Sequence, residues 1–402
     1  MKNILSSPTS HTYSSFLADL DKRQSAKYLS YTRRFELYNM VQQNYAASFS
    51  QYEENRDSVY IRWQQNHEVK IQEGKKNTEK EENRDTEKEK VTIQVSIRTL
   101  ADILMIIETV EYESNKMYNI DLQALHKIRP ELNQLNNMIG LDSLKNDIVK
   151  QLLYFIQGFA DDSAYGDYKH TVLTGPPGTG KTELAKLIGN IYSKIGILKG
   201  NNVFKKVTRA DLIAGYLGQT AIKTRKVIDE CMGGVLFIDE AYSLQEDDMF
   251  AKECVDTLCE SLSDNKNNFM VIIAGYESDL NESFFKINKG LNSRFIWRFN
   301  IDAYNIKELF RIWCFIVTSR GWQFHTDITE AFFQTKKDKF KDNGRGMEQL
   351  FLFCKIAHSQ RIYGKEKEKK KEISLEDLVV GLEMFEEHMN VKKDKISFGL
   401  YI

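Results

Sequence analysis

Three features of this 402-residue chain predict an α/β fold on a parallel five-stranded sheet, with an all-helical N-terminal module before it and a helical lid after it. A glycine-rich loop spans 175–182, an apolar run ends in two acids at 239–240, and strand and helix patterns alternate between 170 and 301. Such alternation argues for strands joined by crossover helices. The loop reads Gly175-Pro176-Pro177-Gly178-Thr179-Gly180-Lys181-Thr182 and fits the G-x-x-x-x-G-K-[ST] pattern of a phosphate cradle. Its glycines let the backbone turn its N–H groups toward phosphate oxygens, Lys181 supplies a charge for the β- and γ-phosphates, and Thr182 a hydroxyl for Mg²⁺. The apolar run His170–Thr174 precedes the loop, and a helical pattern through Glu183, Leu184, Ala185, Leu187 and Ile188 follows it. Glu183 is counted with the nucleotide-binding segment. Some 55 residues on, Gly233-Gly-Val-Leu-Phe-Ile-Asp239-Glu240 reads as a buried central strand. Its acids fall at the carboxyl end, where ligands bind in open α/β sheets. Asp239 is placed for the Mg²⁺ shell and Glu240 to take a proton from attacking water.

The elements follow in order. Residues 12–66 read as helical, with Phe35, Tyr38, Val41, Tyr45, Phe49 and Tyr52 forming one apolar stripe. From Glu73 to Lys90, 13 of 18 residues are charged and no large apolar side chain occurs, so the segment reads as a linker or solvated helix end. Ile93, Ile97, Leu100, Leu104, Ile107 and Val110 then alternate by four and three, a second helix expected to pack on the first. The expected division is 1–128 for the N-terminal module, 129–303 for the nucleotide-binding domain and 304–402 for the lid and tail. Strands are predicted at 170–174, 203–208, 234–239, 269–275 and 295–301. Beyond Asn305 the pattern is wholly helical, near 305–319, 326–340, 346–363 and 375–389, with Ser374 capping the last through Asp377. The net-positive run 365–372 reads as a solvated loop.

Composition excludes several classes. With 56 Lys and Arg against 57 Asp and Glu, no global field draws the chain to nucleic acid or membrane. The first fifteen residues lack the apolar core of a secretory signal, and no apolar run is long enough to span a bilayer, so a soluble cytoplasmic protein is expected. The five cysteines lack C-x-x-C spacing, and none of the seven histidines pairs with a cysteine in a ligand spacing. Reduced core cysteines are expected, with Mg²⁺ the sole metal.

The two nucleotide motifs, with the intervening segment Thr208–Arg225 and the ending Asp239-Glu240-Ala-Tyr-Ser-Leu244, resemble the AAA+ ATPases, and most the CbbX and SpoVK branch. The resemblance covers roughly 131–390 and implies an AAA+ P-loop fold, ATP and Mg²⁺ as ligands, and a homo-oligomeric ring, commonly a hexamer, acting on a protein. By this resemblance Tyr216-Leu217-Gly218 is a pore loop gripping a substrate polypeptide, the alternative being a turn with a packed tyrosine. Leu291-Asn-Ser-Arg294-Phe carries the arginine finger, with Arg298 in the following strand as second candidate. Asn343-Gly-Arg345 matches sensor 2, and Ile139-Gly140 the segment flanking adenine. Tyr276 stands where the family has a sensor 1 asparagine, and its hydroxyl could orient water. Lys289 stands where the branch has proline. Two other readings stay open: a nucleic-acid-directed AAA+ ATPase of clamp-loader or helicase-loader type, and a nucleotide-dependent scaffold with weak hydrolysis.

Overall fold

Apolar runs without alternation become the middle of the sheet, because a strand covered on both faces has no solvent side. In the computed structural model, which describes residues 70–73, 89–159, 167–198, 203–216, 218–266, 268–364 and 371–398, five parallel strands lie in the order β5-β6-β7-β4-β8. These are β4 (Thr171–Thr174), β5 (Phe204–Val207), β6 (Val235–Ile238), β7 (Met270–Gly275) and β8 (Trp297–Asn300). Every residue of β4, β6 and β7 is buried, whereas the edge strands β5 and β8 are partly exposed. All five predicted strands form. By its contacts the chain divides into two units. Residues 67–317 with 323–402 form the unit that carries the sheet and the site. The predicted stripe from Phe35 to Tyr52 lies outside the described residues.

Ahead of the sheet the expectation of an all-helical module needs correcting. Residues 70–118 contribute β1 (Lys70–Glu73), β2 (Glu89–Gln94) and β3 (Lys116–Tyr118), with β1–β2 antiparallel and β2–β3 parallel. Val91 and Ile93 are buried at a spacing of two, the period of a strand. The helix α1 (Leu100–Thr109) starts only at Thr99, whose hydroxyl accepts from the Asp102 N–H at 3.3 Å while Asp102 accepts from the Thr99 N–H at 2.8 Å. Then come α2 (Leu122–Lys127), α3 (Arg129–Asn137) and α4 (Asp142–Ile156). Leu100, Ile103, Leu104 and Ile107 of α1 share one core with Leu184 and Ile188 and with Leu173 and Phe237 of the sheet. The expected division at residue 128 therefore does not fall between two cores.

Strand side chains alternate between two cores, one on each face. Leu173, Phe237 and Ile272 face α3, α4 and α5 (Lys181–Lys194), while Val172, Leu236 and Ile273 face the opposite cluster. That second face is covered by α7 (Thr220–Asp229) and α8 (Met249–Asp264), with a short α6 (Arg209–Leu212) leading from β5 toward α7. Between β7 and β8 lie α9 (Glu277–Glu282), α10 (Phe284–Ile287) and α11 (Gly290–Arg294).

The lid comprises α12 (Ile306–Ser319), α13 (Glu330–Gln334), α14 (Asn343–Ile362) and α15 (Leu375–Phe398). It is not wholly helical: β9 (Gln323–Phe324) and β10 (Glu372–Ile373) pair in parallel. Ser374 and Asp377 form the expected reciprocal cap of α15, at 2.8 and 3.2 Å. Burial by itself would raise the Asp377 pKa, but hydrogen bonds from Arg361, the Ser374 N–H and His358 hold it at about 2. This carboxylate ties α14 to α15.

Candidate active site

The loop after β4 folds as its residue types demand. Gly175 has φ 145°, and a Cβ there would come within 2.4 Å of the Ile301 carbonyl oxygen. Gly178 has φ 72°, and its Cβ would meet the Asp342 carbonyl oxygen at 2.3 Å. Neither position admits a side chain. Gly180 caps α5, so the N–H groups of that helix's first turn face the loop. Lys181 folds back over the loop, its Nζ donating to the carbonyls of Gly175 and Pro176, both at 2.8 Å. Burial pulls the Lys181 ammonium below the ordinary lysine value, opposed by Asp239; Arg345 adds to the lowering, and Glu240 opposes it. Those four side chains therefore share one electrostatic neighbourhood. Thr182 lies half-buried beside Lys181. Glu183 is exposed and paired with Lys186 at 2.9 Å, so the structure does not turn it toward the loop.

The lid holds the loop from the other side, through contacts the sequence pattern does not reveal. The Thr179 carbonyl accepts from the Tyr304 hydroxyl at 3.1 Å, and the Pro177 carbonyl accepts from Asn343 Nδ2 at 3.2 Å. The Gly344 N–H donates to the Gly178 carbonyl at 3.0 Å. Asn343 is 2% exposed and has φ 51°, and its Oδ1 accepts from the Tyr304 N–H at 3.0 Å. Arg345, two residues on, is exposed in the first turn of α14. Ile139-Gly140 lies in the half-buried turn between α3 and α4, fixed by Lys145 Nζ donating to the Met138 carbonyl at 2.7 Å. Met138 Cε lies 3.7 Å from where a Gly180 Cβ would stand, which sets this turn against the loop.

At the end of β6 the Asp239 N–H donates to the Val207 carbonyl at 3.0 Å, and Lys206 Nζ lies 2.6 Å from Asp239 Oδ2. Nothing in the sequence pattern of β5 marks Lys206. Glu240 follows with φ 53° and ψ 44°, a left-handed conformation unusual for glutamate, and its carboxylate is exposed. Tyr276 begins α9 directly after β7; its ring lies 5.9 Å from Lys181 Nζ and 5.9 Å from the Tyr242 ring. Tyrosine at this position thus sits beside the phosphate loop. Thr182 and Asp239 are hard oxygen donors, one hydroxyl and one carboxylate, a set that fits Mg²⁺ sharing its remaining positions with phosphate and water. The Asp239 carboxylate already attracts a cation, the Lys206 ammonium, which supports that fit.

Two predicted groups lie away from this cluster. Tyr216 is 74% exposed beyond the edge strand, so it is not a packed core tyrosine. Its loop is fixed at the base: the Ala214 N–H donates to Thr220 Oγ1 at 3.2 Å, and Lys223 Nζ to the carbonyls of Ala210 and Ile213 at 2.7 and 2.8 Å. Gly218 has φ 78°, and Leu217 lies outside the described residues. Arg294 and Arg298 flank the start of β8, where Trp297 pairs with Thr171 at the beginning of β4. That is the end of the sheet opposite Gly175, about 13 Å away along the strand at ~3.3 Å per residue. Arg294 is tied inward, donating from Nε and Nη2 to Ser263 Oγ at 2.9 and 2.6 Å and from Nη1 to the Gly290 carbonyl at 2.8 Å. Arg298 is exposed, donating from Nη2 to Asn292 Oδ1 at 2.8 Å.

The five cysteines are buried and free. Among the described residues no group of three His, Cys, Asp or Glu could hold a metal ion, and no helix is long and apolar enough to cross a membrane.

Comparison with known proteins agrees with this geometry. Residues 171–302 match the ATPase family associated with various cellular activities (AAA). A cfxQ-like protein, R730, of Acanthamoeba polyphaga mimivirus is 38% identical over 274 residues, covering 66% of this chain and 67% of that protein. Stage V sporulation protein K of Bacillus subtilis is 33% identical, covering 53% of this chain and 67% of that protein. ESX-1 secretion system protein EccA1 of Mycobacterium tuberculosis is 35% identical, covering 54% of this chain but 39% of that longer protein. The chain belongs to the AAA family of ATPases, and cfxQ-like, sporulation K and EccA proteins are among its relatives there.

Proposed function

We propose that this ATPase works as a homo-oligomeric ring, a hexamer, and uses ATP hydrolysis to remodel a protein segment gripped in a central pore by Tyr216. In this reading Lys181 and the N–H groups of residues 175–182 bind the phosphates, and Ile139-Gly140 flanks the base. Thr182 and Asp239 would hold Mg²⁺, which when bound supplies charge neutralisation at the phosphate oxygens. Glu240 takes a proton from the attacking water. Tyr276 orients that water, and Arg345 reports lid position to the phosphates. Arg294 or Arg298 serves a neighbouring subunit, since both lie at the far end of the sheet from their own phosphate loop.

The observation that carries the pore reading is the exposure of Tyr216 on a loop pinned at its base, with open space beside Gly215 and Gly218. An exposed ring with a free tip suits sequence-tolerant apolar grip. The test uses a permanently unfolded polypeptide, carboxymethylated lactalbumin, and measures stimulation of ATP hydrolysis. Wild type and Tyr216→Phe should be stimulated; Tyr216→Ala should keep basal hydrolysis within a few-fold and lose the stimulation. Equal stimulation of the alanine variant would remove the grip. Stimulation by DNA instead, fading with salt, would select the nucleic-acid reading.

A further inference from the structure

Asp239 is the carboxylate assigned to the divalent cation, yet it already has a partner of its own chain. Lys206 Nζ lies 2.6 Å from Asp239 Oδ2, with the two side chains 46% and 22% exposed. The sheet register explains the reach. Lys206 is directly opposite Phe237, and Asp239 stands two residues beyond Phe237, just past the end of β6, its N–H donating to the Val207 carbonyl. Diagonal neighbours of this kind are within range of a long side chain. Among the described residues Lys206 is the cation that pairs with this carboxylate: Lys181 Nζ donates to the Gly175 and Pro176 carbonyls, and Arg345 is exposed on the lid.

We propose that Lys206 is a built-in counter-cation that holds Asp239 until the nucleotide's divalent cation displaces it, and that it thereby sets how tightly that cation binds. The proposal rests on the assignment of Asp239 to the Mg²⁺ shell. An ammonium and a divalent ion drawn to the same carboxylate repel each other and compete for its charge. Metal binding therefore weakens the ion pair, and the observed metal affinity is the intrinsic one reduced by what the pair loses. The pair also keeps the carboxylate aimed across the end of β5 before the ligand arrives. Lys206 is a positioning residue in this scheme and touches no reacting atom.

A second ion pair at the same strand end serves as a control. Arg209, three residues beyond Lys206, pairs with Asp248, the cap of α8, and does not touch Asp239. Loosening the strand end in general would follow from losing either pair; only Lys206 competes with the metal.

The experiment titrates Mn²⁺ into the full chain with ADP, following free Mn²⁺ by electron paramagnetic resonance, and records the thermal midpoint of each variant. Lys206→Met and Lys206→Gln should bind Mn²⁺ about two- to five-fold tighter, the factor expected for an exposed pair. Lys206→Arg should stay near wild type, and Arg209→Ala should leave Mn²⁺ affinity unchanged. Unchanged or weaker Mn²⁺ binding in both neutral variants would overturn the proposal, and if their midpoints fell at the same time Lys206 would be structural only. Equal tightening by Arg209→Ala would overturn it in favour of general loosening. Absence of nucleotide-dependent Mn²⁺ binding in wild type would instead sink the assignment of Asp239, and this inference with it.

Discussion

Glu240 occupies the left-handed region at φ 53° and ψ 44°, where a residue with a Cβ crowds the following carbonyl at a cost of roughly 1–2 kcal/mol. The turn that imposes this begins the short helix Ala241–Ser243 just after β6 and keeps Glu240 exposed rather than buried with Ile238. Strain of this kind persists where the surrounding structure dictates the backbone. Two consequences separate chemistry from strain. Glu240→Gln keeps the backbone conformation and the nucleotide site but removes the proposed proton acceptor, so it should bind ATP and lose hydrolysis. Glu240→Gly removes the carboxylate and the strain together, and should be about 1 kcal/mol more stable to urea than Glu240→Ala, which keeps a Cβ in the same conformation. Hydrolysis at the wild-type rate by Glu240→Gln would exclude it as the base, and an alanine variant as stable as the glycine one would remove the strain. The sequence motif announces the acid, because adjacent carboxylates at the end of an apolar strand are a pattern in themselves. It does not announce Lys206, which reaches Asp239 only through a register that the pairing of two strands creates.

At the scale of elements, the helix α14 meets the phosphate loop backbone to backbone. Gly344 and Gly178 face each other so closely that a Cβ on Gly344 would lie 2.8 Å from the Gly178 carbonyl oxygen, the group that accepts the Gly344 N–H. Gly344→Ala should therefore push the lid from the loop, cost on the order of 1–3 kcal/mol of stability, and weaken nucleotide binding while leaving Lys181 and Asp239 intact. Isothermal titration with ADP and urea unfolding measure the two effects. Unchanged affinity and stability would mean that the lid and loop do not act as one unit. Reading elements from sequence succeeds in the sheet, where β4, β6 and β7 are continuous apolar runs. It fails at 89–100, where Ile93, Ile97 and Leu100 happen to stand four and three apart as in a helix. Thr99 and Asp102 already mark where the helix starts, and Lys90, Thr92 and Gln94, alternating with Val91 and Ile93, are the exposed half of a strand.

For the whole molecule, the placement of the two arginines decides whether a single chain can be a complete catalyst. Arg294 and Arg298 stand at the start of β8 and the phosphate loop at the end of β4, so neither cation is placed beside the phosphate loop of its own chain. The sequence motif favours Arg294, but its guanidinium is held by Ser263 and Gly290 and lies 5.7 Å from the Tyr168 ring, partners brought together only by folding. Arg298 packs its guanidinium 4.4 Å from the Phe285 ring and remains exposed. If one of them acts across a subunit interface, as proposed, its loss should lower hydrolysis by about 10³-fold or more while nucleotide binding persists. The other arginine should then show a different signature: if Arg294 is a structural tie, Arg294→Ala lowers the unfolding midpoint and Arg298→Ala does not. Mixing resolves the geometry. A Lys181→Ala subunit keeps both arginines but cannot bind phosphate, whereas a finger mutant keeps a whole phosphate site, so an adjacent pair in the right order rebuilds one working interface. Turnover measured in rings shown to contain both variants should recover for the true finger and stay at background for a residue whose loss acts within its own subunit. If neither arginine variant is rescued in mixed rings, hydrolysis does not depend on a neighbour's guanidinium and the shared-site ring must be abandoned.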